Sequence, residues 1–131
     1  MRLHRTLLAI ALSFPLAGTA VAASAVEGYK YICGSYQIVM FKTDPTVMTV
    51  NKNKVEEINF SKGIAKGYEY KAVDFREYAA VGGSSTQYRL ATIMDISEMY
   101  HQLLDADGEP KQQMQYEPCQ RPVEVKEPLP D

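Results

Sequence analysis

From Tyr29 onward apolar and polar side chains mostly alternate, and β-branched and aromatic residues are frequent. A period of two with that composition predicts strands rather than helices. The stretch YKYICGSYQIVMFKTD reads as strand with Cys33 in its middle, and Asp44-Pro45 ends it with a turn signal. TVMTVN (46–51) then sets Val47 and Thr49 against Met48 and Val50, NKNK is a polar turn, and VEEINF (55–60) resumes. Together these segments predict a hairpin. SKGIAKG (61–67) carries two glycines and breaks the chain, after which YEYKAVDFREYAAV (68–81) places Tyr68, Tyr70 and Ala72 on one face. GGSST makes the next turn, and QYRLATIMDI (87–96) is a further strand.

EMYHQLLDADGEPKQQMQYEPC supplies two arms around Asp107-Gly108, a dipeptide suited to tight hairpin turns. The start of this region also fits a short helix near 96–104. Ile96, Met99, Tyr100 and Leu103 stand at i, i+3, i+4 and i+7, with Ser97 in place to cap. Strand is the preferred reading. After Cys119, QRPVEVKEPLPD has three prolines and alternating charge, so residues 120–131 are expected to form a loosely held tail. About seven to eight short strands with regularly spaced turns predict a small antiparallel β-barrel or sandwich spanning 23–119 as a single domain.

The N-terminus adds a compartment. MRLHR is basic, TLLAIALSFPLAG is apolar, and TAVAASA offers cleavage after Ala22, Ala23 or Ala25, which is the pattern of a secretory signal peptide over residues 1–22. The apolar run falls short of the ~20 residues that span a bilayer. Cys33 lies well past the cleavage point and follows Tyr31-Ile32, so lipid attachment is not expected either. The expectation is a soluble periplasmic protein without a stable membrane anchor. Without Arg2 and Arg5, the 14 Lys and Arg become 12 against 16 Asp and Glu, a formal charge of −4. That balance argues against nucleic acid, which is bound through clustered cations, and permits a cationic partner. The sequence specifies no oligomeric state.

Export changes the reading of the two cysteines. In an oxidising compartment a lone pair is expected to join, so Cys33 and Cys119 form a predicted disulfide between the two ends of the domain. For a sequence separation of 86, chain entropy gives roughly 4 to 5 kcal/mol of stabilisation. A cysteine nucleophile would need a base, and His101 is the one histidine outside the leader, with no local feature tying it to Cys33. Two cysteines and one histidine also fall short of a structural zinc set, so no metal and no cofactor is expected.

Enzyme signatures are absent: the chain has no Gly-x-Ser-x-Gly elbow, phosphate-binding glycine loop, His-Glu-x-x-His helix or dinucleotide fingerprint. Glu56 and Glu57 are adjacent in a predicted strand, so their carboxylates should point to opposite faces. Asp105 and Asp107 with Gly108 lack the full ligand series of a calcium loop and read as a turn. The nine tyrosines suit both a packed core and a recognition surface.

Tyr31-Ile32-Cys33 at the start of the domain, the Thr/Val-rich segment TVMTVNKNKVEEINF and the closing Cys119 resemble the bacterial periplasmic and membrane-bound inhibitors of c-type lysozyme. The resemblance covers most of residues 29–119. It implies a loop carrying Ser-Gly-x-x-Tyr that enters the lysozyme cleft. Its counterpart here is Ser84-Ser85-Thr86-Gln87-Tyr88, with Ser85 standing where the family has glycine. The family's later Lys-Gly pair has no counterpart after Tyr88, since Lys62-Gly63 and Lys66-Gly67 both precede it. On this reading Ser84, Ser85 and Tyr88 are the candidate partner-binding residues of a non-catalytic protein, and a cationic c-type lysozyme is the partner. Two other classes stay open: a periplasmic immunity or adaptor protein, for which small size, one disulfide and no catalytic signature are equally expected, and a small-ligand carrier if the barrel leaves a Tyr- and Met-lined cavity instead of a filled core.

Overall fold

The structure, a computed structural model, describes residues 24–131. The leader expected over 1–22 lies outside the described residues. The stretch around Cys33 resolves into two strands rather than one, β1 (Ala25–Cys33) and β2 (Tyr36–Phe41). Gly34 turns the chain between them at φ 62, and a Cβ there would run into the Glu117 side chain. Cys33 therefore ends a strand and faces Tyr36 across a hairpin.

Eight further strands follow: β3 (Met48–Val50), β4 (Asn53–Lys54), β5 (Glu56–Ala65), β6 (Tyr68–Tyr78), β7 (Ser85–Ile93), β8 (Ile96–Leu104), β9 (Gln115–Pro118) and β10 (Val123–Pro128). They build two five-stranded antiparallel sheets, ordered β10-β1-β2-β3-β4 and β5-β6-β7-β8-β9. The described chain has no helix, and the sheets face each other as a sandwich instead of closing into a barrel. Cys33, Ile38, Met48 and Val50 of the first sheet meet Val73, Phe75, Tyr88, Leu90 and Met99 of the second in one buried cluster.

The hairpin expected over 46–60 forms only in its first part, where the chain turns at Asn51-Lys52 with φ of 49 and 72; VEEINF does not return along TVMTVN. β3 pairs with the two-residue β4, and the chain then crosses to the other sheet. Val55, 3% exposed, is the pivot: its side chain joins the core between the sheets. A bulge between Glu56 and Asn59, with Glu57 at φ 53, then re-aims β5. β5 runs through the expected break at 61–65, and the turn comes only at Lys66-Gly67, where φ is 52 and 81. Two successive positive values suit a tight two-residue hairpin turn.

Residues 96–104 form strand β8, so the helical alternative is set aside. Nine rungs join β8 to β7, from Ser85↔Leu104 to Ile93↔Ile96, and this pairing decides between two periods that both fit the local sequence. Asp105 receives hydrogen bonds from the Asp107 and Glu109 amides, each at 2.9 Å, which shapes the 105–109 segment as a turn.

The tail also departs from expectation. Residues 123–128 form β10 and pair with β1 from Lys30↔Val123 to Ala25↔Pro128. The free edge of β1 offers unpaired backbone groups, VEVKE alternates along it, and the prolines fall at 122, 128 and 130, outside the paired interior. Lys30 and Glu127 form an ion pair at 2.9 Å across the two strands.

Cys33 and Cys119 are disulfide-bonded, with Cα atoms 4.0 Å apart. The bond sits where the chain passes from one sheet to the other. The Cys119 amide donates to the Ser97 carbonyl at 3.1 Å, and the next amide, Gln120, donates to Ile32 of the first sheet at 2.8 Å. A disulfide at this junction is compatible with an oxidising, exported location.

Candidate functional site

The β6–β7 connection contains the Gly-Gly-Ser-Ser stretch, and its conformation follows from the glycines. Gly82 and Gly83 have φ of 92 and 72, and the Ala79 amide closes the turn on the Ser84 carbonyl at 2.9 Å. A Cβ at Gly82 would meet nothing within 4 Å, and Val81 at the apex is 86% exposed. The Val81-Gly82 apex projects into solvent, while Gly83 lies against Ala106 of the 105–109 turn, Ser84 at the base is half-buried and Ser85 is 4% exposed.

Beside the turn lies an open groove of ≈ 870 Å³. Its walls come from both sheets: Ser84, Ser85 and Thr86 with Glu77 and Tyr78 on one side, Lys52, Asn53 and Lys54 with Glu127 on the other. Leu129, Pro130 and Asp131 line it as well. Lys52 lies 3.9 Å from Glu127, and both signs of charge stand along the rim beside the half-buried Ser84 and Thr86. Such a surface offers hydrogen bonds and ion pairs to an extended or protruding segment of a partner.

Tyr88 does not join the two serines. It stands three residues from Ser85 in one strand, an odd spacing that sends the two side chains to opposite faces. Its ring is 4% exposed and stacks on Phe75, with centroids 5.1 Å apart and planes 12° from parallel. Its hydroxyl donates to Glu77 at 3.2 Å. Burial, and then the adjacent Glu77 carboxylate, push the phenol far above its usual range. Ser84 and Ser85 are thus brought together at the groove, and Tyr88 supports it from inside the core.

His101 is also structural. It is 7% exposed, its Nε2 lies 3.2 Å from Glu117 Oε2, and its ring sits 4.7 Å from that of Tyr36. Of the paired carboxylates, Glu57 accepts a hydrogen bond from the Tyr78 hydroxyl, while Glu56 lines the groove. The bulge that holds Glu57 in the left-handed region separates them by a route that simple strand parity does not describe. Among the described residues no three His, Cys, Asp or Glu side chains gather as a metal site.

Sequence reading missed the outer face of the second sheet. There Glu98 accepts from Tyr100 at 3.0 Å and Tyr116 at 3.1 Å, and these hydrogen bonds raise both phenols. Arg89 forks onto Asp74 at 2.7 and 2.9 Å. Glu98 and Tyr100 stand two residues apart on one face of β8, whereas Tyr116 reaches Glu98 from β9 and Arg89 reaches Asp74 from β7 to β6, pairings that only the register reveals. No family model matches this chain, and neither a curated protein nor a solved structure matches it.

Proposed function

We propose that this chain is an exported, non-catalytic binding protein that presents the Val81–Ser84 turn to the cleft of a partner enzyme, with a c-type lysozyme as the partner class. The observation that carries the reading is the exposed turn standing beside an open, mixed-charge groove. A carrier would need the interior for its ligand, and that space is filled by Phe75, Ile38, Met48 and Met99. A general adaptor is expected to dock through a flat face, whereas a projecting glycine turn fits a concave site. The formal charge of −4 after the leader favours encounter with a basic enzyme.

Within this reading Ser84 and the turn backbone make the contacts, Ser85 anchors the base of the turn, and Tyr88 holds the strand behind it. The test is inhibition of lysozyme by the purified protein, with Ser84→Ala as the contact variant. Weaker inhibition by that variant at an unchanged melting temperature supports the assignment; equal inhibition removes Ser84 from it.

A further inference from the structure

We propose that the end of the second sheet remote from the groove docks reversibly onto an anionic lipid surface. Two turns share this end, Lys66-Gly67 between β5 and β6 and Met94-Asp95 between β7 and β8. Tyr70 pairs with Gly63 on one side and Ile93 on the other, and Ile93 pairs with Ile96, so the turns are neighbours. Ile64 is 77% exposed, Tyr68 55%, Met94 72% and Ile96 64%, with Ile93 beside them at 36%. These are five of the thirteen large hydrophobic residues exposed among the described residues, a concentration that scattered surface residues do not give.

Met94 sharpens the case. Its φ is 59, a left-handed value that favours Gly, Asn or Asp, yet a long apolar side chain stands there at the apex. Exposed Lys62, Lys66 and Lys71 flank the apolar tip, and none forms an ion pair within 4 Å among the described residues. Of the acidic residues nearby, Asp95 is paired with Arg121 at 2.9 Å, which leaves Glu69 against three lysines. The tip is locally cationic on an acidic protein.

A convex apolar apex ringed by lysines is the form that enters a headgroup layer, where the apolar side chains leave water and the lysine stems lie along the interface. A stable protein interface needs about 800 Å² from each partner, more than a few side chains at two turn tips present. β6 has 11 residues, so at roughly 3.3 Å per residue the tip lies about 30 Å from the groove. The inference therefore stands or falls independently of the partner assigned to the groove.

The test is co-sedimentation of the purified protein with vesicles of phosphatidylglycerol and phosphatidylcholine in equal parts, against vesicles of phosphatidylcholine alone. The protein should partition onto the anionic vesicles and release as salt is added. The double variant Met94→Ser, Ile96→Ser should lower the partition coefficient about tenfold and leave the melting temperature unchanged, because both side chains are already in water. The chain has no tryptophan, so Met94→Trp gives a single emission signal at the apex, which should shift to the blue on anionic vesicles. Absence from the vesicle pellet, equal partition onto both vesicle types, insensitivity to the double variant, or an unshifted tryptophan would each overturn the proposal.

Discussion

Tyr88 lies stacked on Phe75, 5.1 Å between ring centroids, with its hydroxyl held by Glu77 at 3.2 Å. A phenol in that setting keeps its proton in the folded state well beyond the unfolded value of about 10. Above that value the unfolded chain releases a proton that the folded chain retains. Stability is therefore fully present below about pH 10 and falls as pH rises toward the folded value. Tyr88→Phe keeps the stack and removes the titration, so its stability should decline less steeply, by up to about 1.4 kcal/mol per pH unit. Tyr31, Tyr100 and Tyr116 are also raised and bend both curves alike. Denaturant unfolding of the two proteins at a series of alkaline pH values checks this; identical slopes would refute it.

Met99 is fully buried at the centre of the core, paired in register with Leu90 and packed in the cluster with Ile38 and Phe75. Met99→Ala should cost about 2 to 5 kcal/mol, the range for large-to-small core changes. Guanidinium unfolding measures it, and a cost below about 1 kcal/mol would mean that the two sheets do not share this core.

The Cys33–Cys119 bond joins the sheets at one junction. Replacing both cysteines with alanine should lower stability by roughly 4 to 5 kcal/mol on the chain-entropy argument, less where the unfolded chain retains structure. Intact mass without reductant should show two hydrogens fewer than the reduced chain, with no thiol open to alkylation.

β10 covers one edge of β1 along six rungs. A chain stopped after Gln120 should melt at a lower temperature and associate at high concentration, because the bared β1 edge offers unpaired amides and carbonyls. Calorimetry and light scattering follow the two effects. An unaltered midpoint and a monomeric product would show that β10 contributes nothing to the fold.

The sheet content is legible from a local signal, the alternation in QYRLATIMDI, and the disulfide from composition, because a leader-like N-terminus and only two cysteines leave Cys33 and Cys119 to pair. Errors arose where a signal needed a distant partner. Gly34 looked like part of a strand until its positive φ made it a turn. Val55 looked like the start of a hairpin arm, but its burial between the sheets makes it a crossover. The prolines around VEVKE mask a strand whose pairing edge lies about a hundred residues earlier in the chain, from Lys30↔Val123 to Ala25↔Pro128. Ser84 and Ser85 stand beside the groove, whereas motif spacing alone groups Tyr88 with them: its odd spacing from Ser85 within β7 turns it to the opposite face, into the core.

Burial separates function from stability in the candidate site: Ser84 is half-buried beside the groove, and Tyr88 is 4% exposed within the core. Ser84→Ala should weaken partner binding and leave the melting temperature nearly unchanged. Tyr88→Ala should lower stability by about 3 kcal/mol or more, as removal of a buried aromatic does. Thermal melts beside a binding assay distinguish the two, and a Tyr88→Ala protein as stable as wild type would contradict the buried stack.

The most direct measurement is the rate at which a c-type lysozyme hydrolyses cell wall with the purified protein in molar excess. The account predicts that hydrolysis slows in proportion to added protein and that the effect weakens as salt screens the attraction between acidic inhibitor and basic enzyme. Hydrolysis that continues undiminished at low salt would contradict it.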